Sequence, residues 1–163
     1  MSIPKSVRAS AVVAHADRYE GELPVAQLKR LAENSAGSGK VRAVWQGSRD
    51  PAGRPQMHAH IDGTVDLVCQ RCLQPFAWPI AIDSTLRLVS TDREAAELLQ
   101  DCEPYEVQDD QLPLREMTED EVLLALPLMP RCKTCENSAQ SPPPPDEPRD
   151  PGPFAALKKL KLK

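Results

Sequence analysis

Aromatic side chains are scarce in this chain. Two Trp, two Tyr and two Phe make up 4% of it, so a core has to be built mostly from Val, Leu, Ile and Ala. Histidine is almost as rare, and three residues leave few groups for proton transfer near neutral pH. The seven glycines are scattered and form neither a phosphate loop nor a dinucleotide fingerprint. There is no Gly-x-Ser-x-Gly elbow and no His-Glu-x-x-His pair. Glu119, Asp120 and Glu121 are consecutive on an expected helix, so their carboxylates fan out instead of converging. With every usual catalytic motif missing, no catalytic residue is assigned and a non-enzymatic protein is expected. No stretch approaches the ~20 apolar residues that span a bilayer. The short patch Ala11-Val12-Val13-Ala14 is too brief and too polar in its flanks for a signal peptide. A cytoplasmic chain without a membrane partner is therefore expected, and its five cysteines read as thiols or metal ligands, not as a disulfide framework.

The net charge of −4 excludes coating of nucleic acid through bulk charge. Charge is also uneven. Residues 92–121 hold 12 of the 24 acidic side chains against only Arg93 and Arg115. This acidic belt, which reads as a pair of solvated helix faces, separates two mildly basic parts.

A length of 163 residues suits one domain with an appended tail. The pattern predicts an α+β fold in residues 1–137, with an antiparallel meander packed against about three helices. Val7–Ala16 reads as an edge strand. Pro24–Glu33 reads as a helix with Val25, Leu28, Leu31 and Ala32 as its stripe. Residues 40–89 alternate as strands, with turns at Ser48–Gly53 and at Cys69–Cys72. Asp62-Gly63 is either a further turn or a bulge within a strand. His58 and His60 share one face of their strand and read as solvated. Thr91 and Glu94 form a capping box for a helix over 92–101. Pro104–Val107 reads as extended. A last helix is predicted over 113–126, and Thr118 with Glu121 offers a second capping box and a later start. Residues 138–153 contain seven prolines in sixteen and read as a disordered, polyproline-rich linker. Residues 154–163 form a basic tail, with Phe154, Leu157 and Leu160 at helical spacing beside Lys158, Lys159, Lys161 and Lys163.

Cys69-Gln-Arg-Cys72 and Cys132-Lys-Thr-Cys135 have the spacing of zinc knuckles, in which two thiolates point at one tetrahedral ion. Together they supply four ligands for a structural zinc. Arg71, Arg131 and Lys133 lie in or beside the knuckles, where they offset the −2 charge of such a centre. The 59 residues between Cys72 and Cys132 exceed the ~15–20 of a compact zinc ribbon, so a dithiol redox pair and ordinary thiols stay open beside zinc. Cys102 has no partner at this spacing and reads as a partly buried single thiol.

Three segments in order resemble the YceD family. They are Leu67-Val-Cys-Gln-Arg-Cys-Leu73 with Pro75-Phe76, then Glu119-Asp-Glu-Val-Leu-Leu-Ala-Leu-Pro127 with Pro130 and a following cysteine, then Pro153-Phe-Ala-Ala-Leu-Lys-Lys-Leu160. The resemblance spans roughly residues 10–163. It implies a bacterial or organellar, cytoplasmic ribosome-biogenesis factor without known catalysis. Such a factor supports normal levels of the 23S ribosomal RNA of the large subunit. Relatives do not all keep two full cysteine pairs, so the zinc reading rests on the spacing in this chain. Two partner classes stay open. One is ribosomal RNA or a pre-ribosomal large subunit, met by Lys40, Arg42, Arg49, Arg54 and Arg71 and by the tail residues from Phe154 to Lys163. The other is a basic ribosomal protein held by the acidic belt in the manner of a chaperone. A thiol–disulfide redox protein is the third reading, and it lacks the βαβ context of a thioredoxin-like fold.

Overall fold

The computed structural model describes residues 3–98 and 102–137. In chain order the elements are β1 (Val7–Arg8), α1 (Ala9–His15), β2 (Arg18–Pro24), a 3-10 turn (Val25–Gln27), α2 (Lys29–Glu33), β3 (Gly39–Arg49), β4 (Pro55–Val68), β5 (Pro75–Val89), α3 (Asp92–Leu98), β6 (Glu103–Glu106), β7 (Gln111–Leu112), α4 (Leu114–Ala125) and α5 (Lys133–Asn137). The molecule divides after Cys132. The part up to Cys132 holds every strand and α1 to α4, and α5 is the described element of the part beyond. The expected linker and tail, 138–163, lie outside the described residues.

The fold is α+β, as its strand-rich middle and flanking helices predict. The sheet has the order β2-β3-β4-β5-β6. Its first four strands are antiparallel neighbours. Side chains alternate with period two. Val41, Ala43 and Trp45 of β3, Met57, Ala59, Ile61, Val65 and Leu67 of β4, and Ile80, Leu86 and Leu88 of β5 are buried on one face. Lys40, Arg42, His58 and His60 are exposed on the other. The pairs Trp45↔Ala59 and Ile61↔Ile82 fix the register. Asp62-Gly63 is not a turn, because β4 runs through it without losing register. Gly63 sits at φ +150°, and a Cβ there would lie 2.3 Å from the Lys40 carbonyl oxygen.

The buried face is closed by α1 and α4. Trp45 is fully buried, and its indole N–H donates to the Thr118 hydroxyl at 2.9 Å. That hydroxyl donates to the Leu114 carbonyl at 2.7 Å. One threonine thus satisfies the only polar atom of the largest core side chain, which would otherwise be stranded. Among the described residues, no helix is long and apolar enough to cross a membrane.

Five expectations need correction. Val7–Ala16 is not a strand beyond Arg8, because Ala9, Val12 and Val13 are buried at helical spacing in α1. That helix seats against Gly47, where a Cβ would lie 2.5 Å from the Val12 carbonyl oxygen. The single helix over 24–33 is a strand end, a 3-10 turn and the short α2, since Leu28 turns extended between them at φ −103°, ψ 94°. The sheet is not wholly antiparallel, because β6 pairs with β5 in parallel. Thr118 is no cap; it sits inside α4 and bonds back one turn. The acidic belt is only partly solvated, since Glu119 and Glu121 are buried. By contrast the Thr91 box forms in part: the Glu94 amide donates to Thr91 Oγ1 at 3.3 Å, while the Glu94 carboxylate accepts from the Ser90 amide at 3.1 Å.

Candidate metal centre

The four knuckle cysteines come together. Their sulfurs, from Cys69, Cys72, Cys132 and Cys135, lie within 4.8 Å of one another. Cys72 and Cys132 are 3.9 Å apart, sulfur to sulfur. Bonds of ~2.3 Å to a tetrahedral zinc place sulfurs about 3.8 Å apart, so this pair already has the required separation.

The local chain explains the first knuckle. β4 and β5 pair to their ends, Val68↔Pro75, leaving residues 69–74 as the connection. The Cys69 amide donates to the Gln74 carbonyl at 3.0 Å and the Leu73 amide to the Cys69 carbonyl at 2.9 Å. The turn closes with Leu73 at φ +59°, a conformation uncommon for leucine. The segment after α4 is then docked on this turn. Pro127 ends the helical run, and the Pro130 carbonyl accepts from the Gln70 amide at 2.9 Å. The Cys132 amide points at the Cys69 sulfur at 3.4 Å. The 59-residue gap is therefore spanned by β5, α3, β6, β7 and α4, which return the chain to the turn it left.

Cys69 is fully buried. The Cys72 amide, then those of Cys132 and Arg71, are aimed at its sulfur and draw its thiol down to about 6 against the opposing effect of burial. Amide donors to a sulfur favour the thiolate, the form that binds metal. Cys102 is half-buried, lies at the start of β6, and does not join the cluster.

The basic residues assigned to a partner are not brought into one patch. Lys40 and Arg42 lie on the open sheet face, where Lys40 pairs with Glu22 at 3.0 Å and Arg42 with Glu20. Arg49 and Arg54 sit at the β3–β4 turn, where Arg54 pairs with Asp50 at 3.0 Å and Arg49 donates to the Gly53 carbonyl at 2.9 Å. Arg71 is at the other end of β4, inside the first knuckle. His58 and His60 are exposed as expected, and His60 holds Asp83 at 2.6 Å. Phe154, Leu157, Lys158, Lys159, Leu160, Lys161 and Lys163 lie outside the described residues.

The sequence reading missed two features near the centre. One is the amide environment of Cys69, which depends on residues 63 positions apart. The other is a set of exposed apolar side chains beside the knuckle: Leu73, Leu124, Leu128 and Met129 at 69, 77, 101 and 64% exposure. The run Leu126-Pro-Leu-Met-Pro130 was a visible signal, since apolar residues held between prolines have little chance to fold into a core.

Residues 57–161 match the family described as "Large ribosomal RNA subunit accumulation protein YceD". The chain is also 34% identical over 155 residues, 89% of its length and 88% of the relative's, to the Large ribosomal RNA subunit accumulation protein YceD of Haemophilus influenzae (strain ATCC 51907 / DSM 11121 / KW20 / Rd). The chain belongs to the YceD family. No solved structure matches it. The matched span contains both cysteine pairs, so the centre lies within the YceD region.

Proposed function

We propose that this chain is a cytoplasmic, non-enzymatic factor that supports accumulation of the 23S RNA of the large ribosomal subunit, and that its four cysteines hold a structural zinc. The observation that carries the reading is the convergence of both cysteine pairs inside the span matched by the family. Four thiolates fill a tetrahedral ion and leave no open position for a substrate or an activated water. Such a centre gives folding energy to a chain poor in aromatic residues, and it fixes the 130–132 segment on the β4–β5 turn.

The factor acts by binding, and the charge pattern favours a protein partner over extended contact with phosphates. Affinity for RNA grows with the number of phosphates neutralised, yet Lys40, Arg42 and Arg54 each face a carboxylate of this chain. The lysines of 154–163 add a second, separable contact. A chain ending at residue 153 is expected to keep its melting temperature and to associate more weakly with pre-ribosomal particles, most visibly at low salt.

The test is made in the source cell. Loss of the gene is expected to lower 23S relative to 16S RNA, and the full chain is expected to restore it. An unchanged ratio would reject the reading. Metal analysis of protein purified without added zinc is expected to give one equivalent, and all four thiols reactive with no bound metal would reject the zinc.

A further inference from the structure

We infer that the apolar surface beside the cysteine centre, continued by the acidic row of α4, is a docking site for a basic amphipathic segment of a partner protein. The inference rests on the reading above that the factor acts through protein contact. Leu128 is fully exposed and Leu73, Leu124 and Met129 are mostly so. They come from two parts of the chain some fifty residues apart that the centre fastens together. Gln70 bonds to Pro130, which places the Leu73 turn beside Leu128-Met129, and Leu124 precedes them on the last turn of α4. Monomeric proteins seldom leave such side chains grouped in water unless something covers them.

The presentation is rigid. Leu128 and Met129 are held between Pro127 and Pro130, and Pro130 is bonded to the knuckle. Leu73 is an exposed leucine in the left-handed region, where asparagine or glycine is the usual choice. The turn geometry alone therefore gives no reason for leucine. A partner that binds a surface already fixed loses less entropy on binding.

Charge identifies the partner's chemistry. Glu116, Asp120 and Leu124 recur every four residues and stack along one face of α4. Burial, then Asp120 and Glu116, raise the Tyr105 hydroxyl, and burial, then Glu103 and Asp120, raise the Glu121 carboxyl against a Ser84 hydrogen bond, so carboxylates gather around this part of α4. Arg30, shared between Glu119 and Asp120 at 3.0 and 2.6 Å, and Arg115 of α4 itself are two cations against the four carboxylates Glu116, Glu119, Asp120 and Glu121, so the helix stays negative. Arg71 and Arg131 belong to the cysteine segments by sequence and not to α4. A segment with leucines on one side and lysines or arginines around it meets both halves of this surface. RNA fits less well, because Leu73, Leu124, Leu128 and Met129 offer a base no aromatic ring to stack on and the row repels phosphate.

The test uses the full chain and a fluorescein-labelled fourteen-residue peptide of alternating Leu and Lys in helical phase, followed by anisotropy. Controls are a scrambled peptide of equal composition and a Leu/Glu peptide. The double variant Leu128→Ser, Met129→Ser is expected to bind the Leu/Lys peptide about tenfold more weakly, with bound zinc and melting temperature unchanged because both side chains are already in water. Glu116→Gln is expected to weaken binding mainly at low salt. Equal binding by the double variant, or by the scrambled peptide, would overturn the proposal. A variant with Leu157→Ser and Leu160→Ser that binds the peptide more tightly than the parent would also overturn it, by assigning the surface to the chain's own tail. If peptide binding fails while gene loss still lowers 23S RNA, this surface falls and the broader function stands.

Discussion

The two ends of β4 are turned by opposite strategies. At the β3–β4 turn the Asp50 carboxylate closes the loop by itself. It accepts the Arg54 amide at 2.7 Å and the guanidiniums of Arg54 at 3.0 Å and Arg87 at 2.7 Å. Every partner but Arg87 lies within five residues, and Arg87 is on the adjoining strand next to Gln56. At the β4–β5 turn the corresponding group is the Cys69 thiol, and it is completed by an amide 63 residues away. Both ends centre on one shielded acidic group whose pKa is lowered by donors. The first is closed by its own hairpin, to which the adjoining strand β5 adds Arg87. The second stays open until α4 has folded and residues 130–132 have come back. A local turn is independent of the rest of the fold, whereas a turn shared with a distant segment ties two parts of the fold together.

The largest effect on this contrast is expected from the zinc proposed for the four cysteines. Structural zinc contributes on the order of 10 kcal/mol to small zinc-finger domains. A chelator, or Cys69→Ser, is expected to abolish metal binding and to lower stability more than any other change considered below. In hydrogen exchange, protection is expected to vanish at 69–74 and 130–132 and to persist at 50–54. Equal loss at both turns would mean that the Asp50 turn is not autonomous after all.

Smaller effects come from the core that both ends share. Trp45→Ala removes the largest buried side chain and is expected to cost about 3–5 kcal/mol. Thr118→Val strands the indole N–H and is expected to cost about 1–3 kcal/mol. In chemical denaturation both variants should unfold in a single transition, with metal per folded chain unchanged. Two separated transitions would show that the knuckle end is its own cooperative unit.

The same contrast explains what was legible in the sequence. The three long strands show as period-two alternation, because each buries one face of its own side chains. The cysteine pairs show because two thiols three residues apart are a local signature, and the gap between them hid only the path of return. Helix α4 shows by its stripe and its closing prolines. What stayed hidden depended on something far away. Ala9–His15 reads as a strand because of its valines, and it is helical because Ala9, Val12 and Val13 pack as one face, with Val12 against Gly47, and Asp110 caps Ser10 at 2.8 Å from a hundred residues on. Strand β2, Arg18–Pro24, carries Glu20 and Glu22 facing water and offers too little apolar alternation to mark it. The parallel pairing of β6 follows from the crossover through α3, which no local pattern announces. The Thr118 box failed since a threonine followed by a glutamate three residues later also fits a helix interior when its hydroxyl has a tryptophan to serve.

The smallest effect, and the one that separates the two ends most cleanly, is in acid. At Asp50 burial raises the carboxyl, but the Arg54 amide and the Arg87 and Arg54 guanidiniums outweigh it and hold the group at about 2, against an ordinary value of 3.8. A carboxyl with a depressed folded pKa gives stability that is fully present above its unfolded pKa and is lost as pH falls through the folded one. The hairpin turn should therefore keep its protection at pH 5 and lose it between about 4 and 2. The Cys69 thiol, with amides drawing it from 9.0 to about 6, obeys the same sign at higher pH. In metal-free protein its contribution is whole above pH 9 and disappears as pH falls to about 6. Amide exchange across a pH series on the metal-free full chain should thus show residues 69–74 loosening first, on the way from pH 9 to 6, and residues 50–54 only below pH 4. Asp50→Asn should remove the acid step at the hairpin and leave the thiol step in place. Loosening of both turns over one common pH range would mean that they are coupled through β4, and the two turns would have to be treated as one unit.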